Sequence, residues 1–453
     1  MNDATLVIVG AGSAGIAAAA EAAQRGAQVV LIEQERIGGT CLQRGCIPTV
    51  VHLQASRLRH YQQMGALWGV GSTPGAADWD ALHAQQDAVV TQLTQGTGAY
   101  LEHLGVSVLQ ARAQYLRDHA LRLTYADGRE DSLSTPLLLL AQGAHCVMPD
   151  IAGLEEVGVW TTDHALGLVQ LPGSVLVYGG GFIGIEWAQF LQTMGSSVTL
   201  ATPEAELLPG EDSDITAALE FLLEEQHITV HTGWPLRRLT RQGGMTLAQG
   251  DHEILQVSRV LLGDCRRPWG NSLAIPGLSL ADTGAVKVDS HQRTAVSGIF
   301  AAGDVTGGRM LSHWGRAQGI VAAQNALGAA TSFAADWCPR VYHTHPEIAA
   351  VGLTEAQARQ EGDIVIGQSD LGMSARALTL GERLGFVKVI ALKPEGKVVG
   401  VHMIGPLASE VIAQASLAIR LEALADDLAE MVPGHPTMAE ALADAAREAV
   451  QQL

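Results

Sequence analysis

Apolar residues come along this chain in short runs broken by glycine, and the clearest run opens close to the amino end. TLVIV is a short β-branched and aliphatic stretch; a glycine cluster, an alanine-rich stretch and a second apolar run, VVLIE, follow it. That order predicts a strand, a tight turn, a helix and a second strand. The order returns in SVLVYGGGFIGIEWAQFLQTMGSSVTLAT, so the chain carries an internal duplication. No stretch approaches the roughly 18–20 uninterrupted apolar residues that a bilayer span requires. The first run has no basic segment before it and is read as a strand, not as a secretory signal.

The glycines inside the two copies have a common spacing. Gly10, Gly12 and Gly15 form G-x-G-x-x-G between strand and helix, and Gly179, Gly181 and Gly184 repeat it. In such a turn the first glycine permits the sharp bend and the second admits a pyrophosphate to the backbone. The third lets the helix pack closely, and the helix amino end faces the phosphates. Glu33 closes the second strand of the first copy, where a carboxylate can accept hydrogen bonds from ribose hydroxyls. In the second copy that spacing lands on Thr202, with Glu204 two residues on as a substitute acid. No arginine stands nearby to receive a 2′-phosphate, so NAD is expected rather than NADP.

Composition narrows the class. The chain has 453 residues, enough for several domains, and 47% of them are hydrophobic. A net charge of −19 makes nucleic acid and anionic membranes poor partners and suits a cytoplasmic enzyme. The five cysteines, Cys41, Cys46, Cys146, Cys265 and Cys338, are too few and too scattered for a secreted disulfide framework. A reducing compartment is expected, where a disulfide that persists is more often catalytic than structural.

Two constellations carry chemistry. In GGTCLQRGCIPTVVH the Cys-x4-Cys spacing cannot bring two thiols together on a regular helix. They can meet if Cys41 lies in a turn and Cys46 in the first turn of a helix, with Gly45 taking the distortion. Gly38 and Gly39 leave room for a flat ring system. Structural disulfide, metal site and redox pair are all readings of such a pair. A metal would need more ligands than His52, the only nearby candidate, and no metal site is read. The position directly after an adenosine-binding unit favours a redox pair beside a flavin, with Cys46 activated at a helix amino end. In VPGHPTMAEAL, Pro436 suits the first position of a helix, His435 the cap and Glu440 the following turn. A carboxylate beside an imidazole fixes its tautomer and raises its basicity, as acid–base catalysis requires.

With these motifs in hand, the chain resembles the class I pyridine nucleotide–disulfide oxidoreductases, above all their dihydrolipoamide dehydrogenase branch. GGTCLQRGCIP is similar to the redox-disulfide motif and GGGFIGIEWA to the nicotinamide-site motif. GIFAAGDVTGG is similar to the second flavin motif, and VYHTHPEIAAVGLTEAQA and HPTMAEAL to interface motifs. The resemblance implies an α/β fold with two Rossmann-like dinucleotide-binding domains and a C-terminal α+β dimerisation domain. Residues 1–145 would bind FAD, 146–265 NAD, 266–335 would form a central domain returning to FAD, and 336–453 the interface of a homodimer. Cys41 would exchange with a dithiol, Cys46 would face the flavin, and His435 with Glu440 would act from the other subunit. Gly39, Thr40, Ala113, Gly143, Asp304, Glu186 and Arg266 join the glycines and Glu33 as implied cofactor contacts. The implied substrate is a dihydrolipoyl group on a carrier protein, its electrons passing through a Cys41–Cys46 disulfide and FAD to NAD.

The chain departs from this pattern mainly on the nucleotide side. Val50 stands where the family has a lysine one turn beyond Cys46, while Glu186, the partner of that lysine, remains. Burial without a counter-ion would raise the carboxyl of Glu186, with Arg44 or His52 as candidate compensation. Cys265 replaces a glycine beside Arg266, residues 141–143 read AQG for a common Ala-Thr-Gly, and Gln318 replaces a frequent acid. Mercuric reductases carry a terminal cysteine pair, which AREAVQQL lacks. Two alternatives stand beside the main reading. One is a disulfide reductase for another small thiol; the other is a flavin-bearing protein that binds a lipoyl carrier with little NAD-linked turnover.

Overall fold

The structure is a computed structural model that describes residues 4–71, 73 and 75–453. The chain divides into two compact units. The first comprises Met1–Val51, Asp80–Pro149 and Cys265–Ala334, and the second His52–Trp79, Asp150–Asp264 and Ala335–Leu453.

In the first unit five parallel strands lie in the order Ile299–Ala301, Leu138–Leu140, Leu6–Val9, Val29–Glu33, Ser107–Gln110. Successive side chains of a strand face opposite ways, which explains why the central strand is apolar throughout. Leu6 and Ile8 pack with Ala14, Ala18 and Ala22 of the helix Ser13–Gln24, whereas Val7 and Val9 pack with Leu121, Leu123 and Leu133. Those three leucines belong to an antiparallel sheet, Arg112–Tyr115, Ala120–Thr124 and Glu130–Ser134, that covers the second face. Helix Ser13–Gln24 lies against helix Ser312–Ala326, where Gly319 and Gly315 let the two backbones approach. The expected strand–turn–helix–strand order is therefore present, and both faces of its sheet are covered.

The second unit repeats the plan. Four parallel strands run in the order Thr229–His231, Ser197–Ala201, Ser174–Tyr178, Arg259–Leu262, with helix Phe182–Met194 after the third of these. A separate antiparallel sheet of five strands follows, in the order Arg340–Tyr342, Glu347–Gly352, Lys397–Gly405, Phe386–Leu392, Ile364–Asp370. Helices Ala408–Arg420 and Ala439–Val450 contribute to its core. The α/β class with two Rossmann-like sheets and a terminal α+β segment thus holds. Among the described residues no helix is long and apolar enough to cross a membrane.

A buried charge cluster joins the five-stranded sheet to the amino end of helix Ser213–Glu225. Lys388, fully buried on a central strand of the five-stranded sheet, reaches Asp212 at 2.9 Å, Asp214 at 2.6 Å and Glu355 at 2.7 Å. Beside it Arg340 meets Glu211 at 2.7 Å, and the Tyr342 hydroxyl donates to the same carboxylate at 2.7 Å. An ammonium buried in this way is tolerable only because several carboxylates replace its water. Replacing Lys388 by alanine strands carboxylates without their cation, and a loss of about 3 kcal/mol is expected. Urea unfolding checks this: the midpoint should fall with little change in slope.

Candidate functional site

The first glycine turn is built by close backbone approach. Gly10 has a φ of +104°, and a Cβ there would run into the backbone at Ala141 and Gln142. A Cβ on Gly39 would lie 2.6 Å from the Cα of Gly12, so the two glycines leave a bare backbone surface between them. Glu33 is aimed by two amides, Ala11 N–H donating at 2.7 Å and Glu35 N–H at 2.9 Å. It borders a cavity of about 280 Å³ that Gly10, Ala113, Gln142, Ser272 and Trp269 also line. Both amide atoms of Gln142 and the hydroxyl of Ser272 are buried there without a partner among the described residues. Orphaned polar atoms around a bare glycine turn and an oriented acid fit the adenosine half of FAD.

Asp304 opens a short 3-10 turn in the same unit. Burial pushes its carboxyl up, and the charge of Arg266 opposes that. Gly303 N–H donates to Gln318 at 2.9 Å, so the neutral glutamine serves this turn where an acid is frequent. Gly143 has a φ of +75° and its carbonyl accepts from Trp269 N–H at 3.0 Å, while Thr40 sits in the helix that carries Cys41.

The two cysteines occupy the ends of two helices. Cys41 lies inside the short helix Gly39–Arg44 rather than in a turn, and Cys46 opens the helix Cys46–Met64. Gly45 between them breaks the helix, with φ −132° and ψ −115°, and a Cβ there would lie 2.9 Å from the Thr40 carbonyl. This break brings together thiols that a continuous helix would keep apart. The structure holds them as thiols, not as a disulfide. The Cys46 thiol donates to Cys41 and lowers it to about 7; burial opposes this, and Ser312 adds a second hydrogen bond. Side-chain donors thus converge on the Cys41 sulfur, while Cys46 stands at the amino end of its helix.

The second glycine turn has the same backbone logic. Gly179 has a φ of +134°, and a Cβ on Gly263 would come 2.6 Å from the Cα of Gly184. Thr202 is fully buried, and its hydroxyl donates to Glu204. Glu204, the candidate substitute acid, is thus held beside Thr202 at the end of this strand. The Gly181 amide donates to Asp264 at 2.9 Å. The turn fits a dinucleotide in its glycines, but a side chain of the protein already holds one of the amides.

Glu186 sits in helix Phe182–Met194, buried, with His343 N–H donating at 2.8 Å. Burial raises its carboxyl to about 7, and the His343 hydrogen bond pulls the other way. Val50, at the surface, brings no charge. Arg44 pairs with Glu35 at 3.0 Å, and His52 lies among the rings of Trp187 and Phe190.

His435 Nδ1 and Glu440 Oε1 are 2.9 Å apart, and Glu440 also accepts from Thr437 N–H at 2.9 Å. The His435 hydrogen bond, with that amide, holds the Glu440 carboxyl below its ordinary range. Pro436 does not begin the helix: the His435–Pro436 peptide is cis and the helix starts at Ala439. The pairing stands because Glu440 lies in the first turn of that later helix.

The sequence reading missed a second cysteine pair. Cys146 and Cys265 form a disulfide with Cα atoms 4.8 Å apart. Cys146 ends the strand Ala144–Cys146, and Cys265 directly precedes the strand Arg266–Pro268, which pairs with it antiparallel. Cys265 had stood only as a departure from a glycine; the signal available was a second cysteine at the other end of the duplicated segment. Asp264, next to it, was also missed.

The sequence profile described as pyridine nucleotide-disulphide oxidoreductase matches residues 4–330, and the dimerisation domain of the same group matches 338–446. A dihydrolipoyl dehydrogenase of Bacillus subtilis is 34% identical over 448 residues, 97% of each chain. A mercuric reductase of Streptomyces lividans is 35% identical over 455 residues, 98% of this chain and 95% of that one. Among solved structures, the Cu(II) complex of the HOCl-induced flavoprotein disulfide reductase RclA of Escherichia coli superposes with a TM-score of 0.88 at 26% identity, covering 99% of both chains.

Two measurements test this chemistry. Alkylation of Cys41 by iodoacetamide in the reduced protein should rise through a midpoint of about 7 instead of the ordinary 9, and Cys46→Ala should move that midpoint up. Glu186, raised to about 7 from an ordinary 4.5, favours the fold in its neutral form. The stability it contributes is full below 4.5 and is lost as pH rises through 7. Denaturant titrations at acid and mildly alkaline pH should show Glu186→Gln gaining about 2–3 kcal/mol on the wild type as pH rises.

Proposed function

The chain belongs to the pyridine nucleotide–disulphide oxidoreductases, and on that footing we propose that it oxidises a dihydrolipoyl dithiol borne on a carrier protein and passes the electrons to NAD. The members of this family use FAD and NAD(P), and the chain is a flavin-dependent disulfide oxidoreductase; the dithiol and the acceptor are the proposal. The observation that carries it is the Cys41–Cys46 thiol pair, closed across the break at Gly45, with Cys41 brought to about 7.

FAD, when bound, supplies the two-electron relay between the thiols and the pyridine nucleotide. Gly12, Gly39, Glu33 and Asp304 would hold it, with Gln142 meeting the adenosine half. The chain's own side chains manage sulfur and protons. In the oxidised enzyme, one substrate thiolate attacks Cys41 Sγ, forms a mixed disulfide and expels Cys46 as thiolate. The second substrate thiol then displaces Cys41, so the dithiol leaves as a cyclic disulfide and both cysteines are reduced. The Glu440 carboxylate accepts from Nδ1–H of His435, which leaves Nε2 as the base that takes the substrate's proton. The dimerisation domain supports a homodimer, in which this pair would serve the partner's cysteines.

Anaerobic titration of the yellow protein with dihydrolipoamide should bleach the flavin band, and NAD⁺ should restore it. Cys46→Ser should abolish the dithiol step. His435→Gln should slow flavin reduction by about 100-fold or more. A flavin that dihydrolipoamide does not reduce sinks the dithiol assignment; one that NAD⁺ does not reoxidise sinks NAD as acceptor.

A further inference from the structure

The two glycine turns of this chain differ in the residue that faces their first glycine. In the first, a Cβ on Gly10 would meet Ala141 and Gln142; in the second, a Cβ on Gly179 would meet Asp264. Gly15 lies against Ala141 just as Gly184 lies against Gly263. Residues 141–143, AQG, thus correspond to 263–265, GDC. Where the first turn has the neutral amide of Gln142, the second has the carboxylate of Asp264.

That carboxylate is bonded into the turn. Its Oδ2 accepts from Gly181 N–H at 2.9 Å, at the amino end of the helix Phe182–Met194. This is where a dinucleotide's pyrophosphate needs donors and positive potential. An incoming pyrophosphate must displace Asp264 from the amide or bind with its charges beside the carboxylate. Both outcomes weaken binding.

The backbone of Asp264 is anchored on both sides. Gly263 N–H donates to the Tyr178 carbonyl at 2.9 Å, and the Cys265 carbonyl accepts from Val147 N–H at 2.7 Å. Cys265 is further locked by its disulfide to Cys146. A carboxylate on so restrained a backbone caps the amide with little loss of conformational freedom. Cys265 is buried and Cys146 exposed, so an external thiolate reaches the Cys146 sulfur and expels Cys265.

We propose that Asp264 is an internal anionic cap that sets pyridine-dinucleotide affinity at the second glycine turn, and that the Cys146–Cys265 disulfide positions it. The disulfide form binds the dinucleotide weakly. A dithiol of the substrate class reduces the clasp: attack on Cys146 forms a mixed disulfide, and the second thiol closes a cyclic disulfide. Two electrons and two protons pass to Cys146 and Cys265. Asp264 then leaves Gly181 more readily, so the acceptor site tightens only when the donor is present. The proposal rests on the second turn being the pyridine-nucleotide site.

The test is calorimetric binding of ADP-ribose, which carries the pyrophosphate but no hydride, to the FAD-loaded full-length protein. Asp264→Ala and Asp264→Asn should each bind at least tenfold more tightly than the disulfide-form wild type. The Asn variant keeps an acceptor for Gly181 and isolates the charge. Replacing both Cys146 and Cys265 by alanine should tighten binding at least threefold when Asp264 is present and leave it unchanged in the Asp264→Ala background. A merely structural clasp would not give that dependence on Asp264. Peptide mapping should find Cys146 linked to Cys265 in the oxidised protein, and its absence overturns the clasp. Equal affinity in wild type and Asp264→Ala, including no binding by either, overturns the cap. Reduction of the flavin by dihydrolipoamide does not involve Asp264, so its success or failure judges the proposed activity separately.

Discussion

The contact on which this structure depends is the one that lets a helix begin directly against the strand before it. Gly15 meets the carbonyl of Gly10, and Gly184 that of Gly179, at separations that any side chain would forbid. Because the helices start so close, their first amides lie at the ends of the parallel strands, beside whatever the neighbouring strands deliver there. In the first unit these are Glu33, held by the Ala11 amide, and Gly39, packed on Gly12. Gly39 begins the helix that holds Cys41, so the position of the thiol pair is inherited from a backbone contact several residues earlier. In the second unit the same geometry delivers Thr202, Glu204 and Asp264.

Two breaks in regular structure then turn the scaffold into chemistry. Gly45 interrupts what would be one helix, and the interruption gives Cys41 its neighbours; a continuous helix would have placed the sulfurs on different faces. Near the other end of the chain the helix starts late, at Ala439, which leaves Thr437 N–H and His435 for the carboxylate of Glu440. In both places polar groups that a longer helix would have satisfied internally are used to orient a reactive side chain.

Local signals made much of this legible in the sequence. Apolar runs, glycine spacing and the doubling of both name the two parallel sheets, since each signal spans only a few residues of contiguous chain. The Cys41–Cys46 and His435–Glu440 pairs were legible for the same reason, although Cys41's helix and the late start at Ala439 were not. What escaped was non-local. Cys146 and Cys265 are 119 residues apart, and nothing short of the strand pairing announces their meeting. Lys388 and its carboxylates come from three separate segments, and Gln142 gains meaning only from the cavity it lines. The matched pair of Gln142 and Asp264 emerges only when the two turns are superposed.

Val50 brings no cation, and the buried Glu186 is accommodated by a raised carboxyl. Glu186 keeps its place in the helix and its His343 amide, and burial lifts its carboxyl to about 7, so near neutral pH a large share of it carries no charge. A neutral carboxyl needs no counter-ion, and the fold avoids the several kcal/mol that an unpaired buried charge would cost. In the second glycine turn the Asp264 carboxylate accepts from Gly181 N–H at 2.9 Å, at the amino end of a helix. The second glycine turn and its helix thus carry one acid whose charge depends on pH and one acid bound to an amide. On the proposed reading, pyridine-nucleotide binding should respond to pH and to thiol redox state, whereas Cys41 and the His435–Glu440 pair are each set by hydrogen bonds of their own.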